Sequence, residues 1–249
     1  MRYFIYFSYK GTAYHGWQYQ PNALTVQAVL EDAFSLILRE RVPLTAAGRT
    51  DTGVHAVQMV AHFDYDFSQK DLSNFIYRLN NLLPYDVAVE KIVPVSDDAH
   101  ARFSAISRTY HYYVCTSKNA FYTMLCTRVP HTLDFAKMND AAAVLLQTQD
   151  FASFCKAHTD VKTTFCKVTQ AQWTEQVPGI WMFEITADRF LRNMVRAIVG
   201  TLFAVGKGKI SKEEFERIIN LRQREAAGDS APAEGLYLYK VEYPKEIFA

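Results

Sequence analysis

The order of hydrophobic periodicities in the first hundred residues constrains the fold most. RYFIYFSY, Arg2 to Tyr9, is dense in aromatic residues and reads as a strand. Thr25 is placed as an N-cap, and Val26, Val29, Leu30, Ala33 and Ile37 follow at helical spacing, which predicts an amphipathic helix to about Glu40. Pro43–Ala47 and Ala56–Asp64 read as strands. Ser68 with Asp71 resembles a capping box ahead of LSNFIYRLNNLL, a helix that Pro84 ends. Val87–Val95 is a further strand, so the segment reads β-α-β-β-α-β.

The second half repeats that order without repeating the sequence. SRTYHYYVCT, Ser107–Thr116, is a strand with Tyr110, Tyr112 and Val114 on one face and His111 and Tyr113 on the other. Phe135–Leu146 is a helix, and residues 163–176 and 180–187 form a hairpin around Pro178-Gly179. Phe190–Val205 is an apolar helix carrying Arg192 and Arg196. Ser211 caps another helix, and Gly235–Val241 is a last strand. The expectation is an α+β fold of two β-α-β-β-α-β halves, residues 1–105 and 106–249, with mostly antiparallel sheets and a cleft between them. The loops Ser117–Pro130 and Arg224–Glu234 are expected to be the mobile ones.

With 49% hydrophobic residues, a chain of 249 can bury a core, but a net charge of +1 points to no partner. Nucleic-acid binding would require positive groups concentrated locally. The four cysteines form no CxxC pair, and no histidine cluster completes a zinc pattern. They are expected to be buried or free thiols in a reducing compartment. No run of about eighteen apolar residues and no leader pattern occurs, so a soluble, cytoplasmic protein without membrane or metal partners is expected.

The chemistry centres on GRTDTGVHA, Gly48–Ala56. Gly48 and Gly53 favour a tight turn, and Thr50 and Thr52 flank Asp51 with hydroxyls that can bond the local backbone. Read by itself, the stretch also fits a hairpin turn with a solvated acid. DTG occurs in aspartic proteases, but those need two aspartates sharing a proton, and this chain has one DTG. A metal site drawn from Asp51, His55 and His62 fails because strand parity puts the two histidines on opposite faces. A glycosidase needs two flanking carboxylates. A single carboxylate suits a reaction that breaks a glycosidic bond yet keeps the freed base, because no water then needs activating. Burial would raise the pKa of that acid, so an arginine beside it is needed to keep it ionised. Arg196, amid Met194, Val195, Ala197 and Ile198, is a candidate, with Arg192 four residues before it on the same helix face.

At these residues the chain resembles the pseudouridine synthases. The resemblance covers YKGTAYHGWQYQ with TVQAVLEDAF, AAGRTDTGVHA, LNNLLPYDVAV, ARFSAISRTYHY, DFASF, FLRNMVRAIVGT and APAEGLYLYKVEY. It implies isomerisation of uridine to pseudouridine at positions 38 to 40 of the tRNA anticodon stem-loop, without a cofactor, by a homodimer. Asp51 matches the family's catalytic aspartate, Tyr110 the tyrosine that packs on the target base, and Arg196 the arginine paired with the aspartate. The chain departs in FLRNMVR, where many relatives carry histidines, and in SDDAH before ARF. Arg49, Arg102, Arg108, Arg189 and Arg192 are candidate phosphate contacts, and Tyr14, His15 and Trp17 candidate base-stacking side chains. An RNA-binding module without catalysis and an aspartyl hydrolase are the competing readings. The first has no need of Asp51 and the second needs another acid.

Overall fold

The computed structural model describes residues 1–67, 71–130, 132–156 and 162–248. In chain order the strands are β1 (Arg2–Tyr9), β2 (Thr45–Ala46), β3 (His55–Asp64), β4 (Val87–Val95), β5 (Ser107–Cys115), β6 (Thr127–Arg128), β7 (Val168–Val177), β8 (Ile180–Ala187) and β9 (Leu236–Glu242). The helices are α1 (Val26–Leu38), α2 (Leu72–Leu82), α3 (Phe135–Ala142), α4 (Met194–Gly206) and α5 (Lys212–Leu221). Contacts divide the chain into two compact units, Met1–Ile106 with the segment from Tyr237 on, and Ser107–Leu236. Both are α+β.

In the first unit β1 runs antiparallel to β3 on one side and to β4 on the other. β2 pairs antiparallel with the far end of β3, Thr45 opposite His62. β9 lies parallel to β3, with Tyr237 opposite His55. That pairing corrects the expected division, because it returns the last strand to the first unit instead of leaving 106–249 together.

Caps set the helix limits. The Thr25 hydroxyl accepts from the Ala28 N–H at 3.4 Å, and α1 stops at Arg39 in the left-handed region (φ 66°), just short of Glu40. Asp71 itself caps α2, accepting from the Ser73 N–H at 2.8 Å, while Ser68 lies outside the described residues. Phe34 meets Phe63 and Phe75 edge-on at 5.1 Å each, so both helices pack on β3 through one buried aromatic cluster. Such pairs contribute about 0.5–1.5 kcal/mol beyond the area they bury.

In the second unit β8 runs antiparallel to both β5 and β7, and β6 pairs parallel with β5. The hairpin turns at Gly179 (φ 81°), but β7 begins at Val168, later than expected. α3 tightens into a 3₁₀ turn over Ala143–Leu146. The order is β-β-α-β-β-α-α, not a second β-α-β-β-α-β, since β6 is added and the closing strand belongs to the first unit. Trp173 packs on Phe183 at 5.0 Å and on Phe203 at 6.1 Å, joining the sheet to α4.

Two expectations are corrected here. The register of β6 on β5 brings Cys126 beside Cys115, and the two are joined as a disulfide with Cα atoms 6.2 Å apart. Cys155 and Cys166 are buried thiols outside that disulfide, and burial pushes the Cys166 thiol up to about 12. The stretch Arg224–Glu234 is fastened, not loose. Arg224 donates to the Gly228 carbonyl at 3.1 Å and to the Ser230 hydroxyl at 3.0 Å. The chain passes so close to α4 that a Cβ on Gly200 would stand 1.7 Å from the Asp229 carbonyl oxygen. Among the described residues no helix is long and apolar enough to cross a membrane.

Candidate active site

Asp51 sits on a turn built by backbone contact. Gly53 adopts φ 80°, and the Asp51 carbonyl accepts from the Val54 N–H at 3.1 Å. The loop after β1 lies directly against this turn. Trp17 N–H donates to the Thr50 carbonyl at 3.4 Å, and Gly53 N–H donates to the Tyr14 carbonyl at 3.3 Å. The approach requires glycine. A Cβ on Gly16 (φ 83°) would lie 2.3 Å from the Thr50 oxygen, and one on Gly11 would lie 1.9 Å from the Val54 oxygen.

Side chains lock the same contact. The Tyr9 and Thr50 hydroxyls share a hydrogen bond at 2.9 Å. Gly11 N–H donates to His55 Nδ1 at 2.9 Å, and the His55 ring stacks on Tyr237 at 4.6 Å. The Tyr14 hydroxyl donates to Asp86 at 2.6 Å, and burial, reinforced by the Asp86 carboxylate, pushes its pKa upward. Asp51 is thus a half-buried carboxylate on a braced turn, with Arg49 exposed two residues before it. Tyr14 and Trp17 are buried, 3% and 4% exposed, so neither is placed to stack on a base as expected. Trp17 packs on Phe7 instead, at 5.3 Å. His15 and Tyr19 are the exposed rings of that loop.

The second unit carries the other candidates. Tyr110 is half-buried on β5, opposite Ile185, with its ring edge-on to Phe190 at 4.9 Å. Arg196, half-buried in the first turn of α4 between Val195 and Ala197, donates through Nε to the Ala231 carbonyl at 2.7 Å. Arg192 does not share its helix face. Asn193 takes the left-handed conformation (φ 65°) that asparagine tolerates, and α4 starts only at Met194. Asn193 holds that pose by donating to the Ser230 hydroxyl at 2.6 Å, and Arg192 is left exposed outside the helix. Arg108 reaches across from β5 to the Asp188 carbonyl at 2.9 Å.

Arg102 is exposed in the first unit, close to His62 at the far end of β3 from the Asp51 turn. His55 and His62 each accept a backbone N–H through Nδ1, from Gly11 and from Ala101. Among the described residues no three His, Cys, Asp or Glu side chains converge as a metal site.

A family model described as tRNA pseudouridine synthase matches residues 5–104 and 141–244. The chain belongs to that family. A tRNA pseudouridine synthase A of Bacteroides fragilis is 53% identical, with 99% of this chain and 98% of the relative covered. One from Porphyromonas gingivalis is also 53% identical over 99% of each chain. One from Bacillus subtilis is 42% identical over 95% of this chain and 96% of its own length. As a pseudouridine synthase the chain is an isomerase.

The matched stretches contain the Asp51 turn and Arg196, while Tyr110 falls in the interval between them. Sequence reasoning missed the Tyr14–Asp86 bond of this synthase. The only signal for it was the pairing of a loop tyrosine with an acid at a helix-to-strand junction, which many proteins contain.

Proposed function

We propose that this chain isomerises uridine to pseudouridine at positions 38 to 40 of the tRNA anticodon stem-loop, as a cytoplasmic homodimer. The observation that supports the reading best is the Asp51 turn, one carboxylate fixed by backbone contacts within a stretch that the family model matches. The target uridine leaves the stack to reach the acid. Asp51 acts on the ribose, at C1′ or at the 2′ hydrogen. The N1–C1′ bond breaks, the uracil turns, and C5 bonds to C1′. C5 then loses its proton and N1 gains one, so the atoms balance and no water is consumed. Tyr110 stacks on the uracil, and its phenol assists the departure of the C5 proton. Arg196, the arginine that the family resemblance pairs with the aspartate, supplies the cation that keeps Asp51 ionised. Arg49, Arg102, Arg108 and Arg192 bind phosphates.

The test uses tRNA carrying tritium at C5 of uridine. Wild-type protein should release the label to water, and Asp51→Asn should release none while binding tRNA with nearly unchanged affinity. Loss of both turnover and binding would make Asp51 a structural residue of the turn. Continued release would move the chemistry to another group.

A further inference from the structure

The segment between β4 and β5 holds one large ring out in solvent. Phe103 is 75% exposed, yet the turn beneath it is fastened at almost every residue. Arg2 donates to the Ala99 carbonyl at 3.0 Å, and the Tyr243 hydroxyl donates to the Ala101 carbonyl at 2.6 Å. Ala101 N–H donates to His62 Nδ1 at 3.2 Å, and Arg102 N–H to His100 Nδ1 at 3.0 Å. Ser104 N–H donates to the His100 carbonyl and His100 N–H to the Ser104 hydroxyl, both at 2.9 Å.

Rings continue this anchoring outward. His62, on β3, packs on His100 at 4.5 Å, and His100 packs on Phe103 at 4.4 Å. The Arg102 guanidinium stands 5.5 Å from the centre of the Phe103 ring. Burial lowers the pKa of both histidines, with Arg2 nearby acting in the same direction, so the rings beneath Phe103 carry no charge at neutral pH. A phenylalanine left in water forgoes about 1.5–3 kcal/mol of burial. The fold gains nothing evident by fixing one there, whereas a stacking partner would.

We propose that Phe103, with Arg102 beside it, is a stacking platform for an unpaired nucleobase of the substrate RNA, distinct from the nucleotide that reaches Asp51. The proposal rests on the tRNA reading above. A flat apolar face with a guanidinium at its edge suits a base and its phosphate, since every base has a π-face. Placement sets which nucleotide it meets. The Asp51 turn enters β3 at His55 and the platform is rooted at His62, seven residues later, or roughly 23 Å along the strand. That exceeds the span of one nucleotide.

Filter binding of full-length tRNA tests it with three variants. Phe103→Ala should bind about ten-fold more weakly, within the range for loss of one stacked base. Phe103→Trp should bind as the wild type does. Phe103→Ala should keep the log–log salt slope, while Arg102→Gln should lower that slope by about one. Affinity of Phe103→Ala within two-fold of wild type would overturn the platform. It would also be overturned if sedimentation showed that Phe103→Ala separates two copies of the chain, with binding restored once they reassociate. Tritium release by the wild type keeps the two readings apart. If the wild type turns over and Phe103→Ala binds normally, only the platform falls. If the wild type releases no tritium, the reaction fails and the platform with it.

Discussion

The Tyr14 hydroxyl donates to Asp86 at 2.6 Å, while the carbonyl of the same tyrosine takes the N–H of Gly53 at 3.3 Å. One residue therefore ties the turn that carries Asp51 to the start of β4. Tyr14→Phe keeps the ring and removes only the bond to a carboxylate, an interaction of about 1.5–3 kcal/mol. Thermal stability should fall, and the single-turnover rate should fall by more than tRNA affinity does, because affinity rests on many phosphate contacts. Equal losses of rate and affinity, or none, would show that the turn does not depend on this brace.

Arg196 has a structural task and a proposed chemical one, and substitution can separate them. Its Nε bonds the Ala231 carbonyl, and its own carbonyl accepts the Ala231 N–H at 2.9 Å. Arg196→Met should cost stability, because the Ala231 carbonyl loses a charged donor worth about 1.5–3 kcal/mol, and on the proposed reading it should also cost most activity. Arg196→Lys keeps the charge but lacks the planar fork. It should recover more activity than stability. Near-normal turnover in folded Arg196→Met would remove Arg196 from the chemistry.

Stability should also depend on pH through His62. Its folded pKa is lowered to about 4, chiefly by burial and then by His100 and Arg2, with Asp64 opposing. In the unfolded chain it titrates near 6.5, as an ordinary histidine does. Between those values the unfolded chain binds a proton that the folded one refuses, so stability should fall as pH drops from about 6.5 towards 4. His100, lowered for similar reasons, adds to the slope. Urea midpoints at pH 7 and pH 5 measure the effect. His62→Gln should flatten the difference, and an unchanged difference would assign the slope to other groups.

Most of the first unit was legible because its signals are local. Thr25 caps its helix through a neighbour three residues on, and Pro84 forbids helix at the residue before it. The Asp51 turn was legible for the same reason, since its glycines lie within the motif. The start of α4 was not. It is set by Asn193, whose left-handed pose depends on Ser230, 37 residues away. The Tyr14 hydroxyl likewise finds its partner in Asp86, 72 residues away, and no periodicity within the loop announces that partner. The membership of β9 turns on the pairing of Tyr237 with His55, a choice made by long-range registry.

The return of that strand bears on how the protein is born. His55 is stacked by Tyr237, and it also holds Gly11 against the Asp51 turn. A ribosome adding about 5–20 residues per second needs on the order of ten seconds to go from the end of the first segment to Tyr237. Throughout that interval one stretch of β3 lacks its neighbour, and an unpaired strand edge invites mispairing. The nascent chain should therefore be most vulnerable to aggregation late in translation, and competent for catalysis only after its final strand has cleared the exit tunnel.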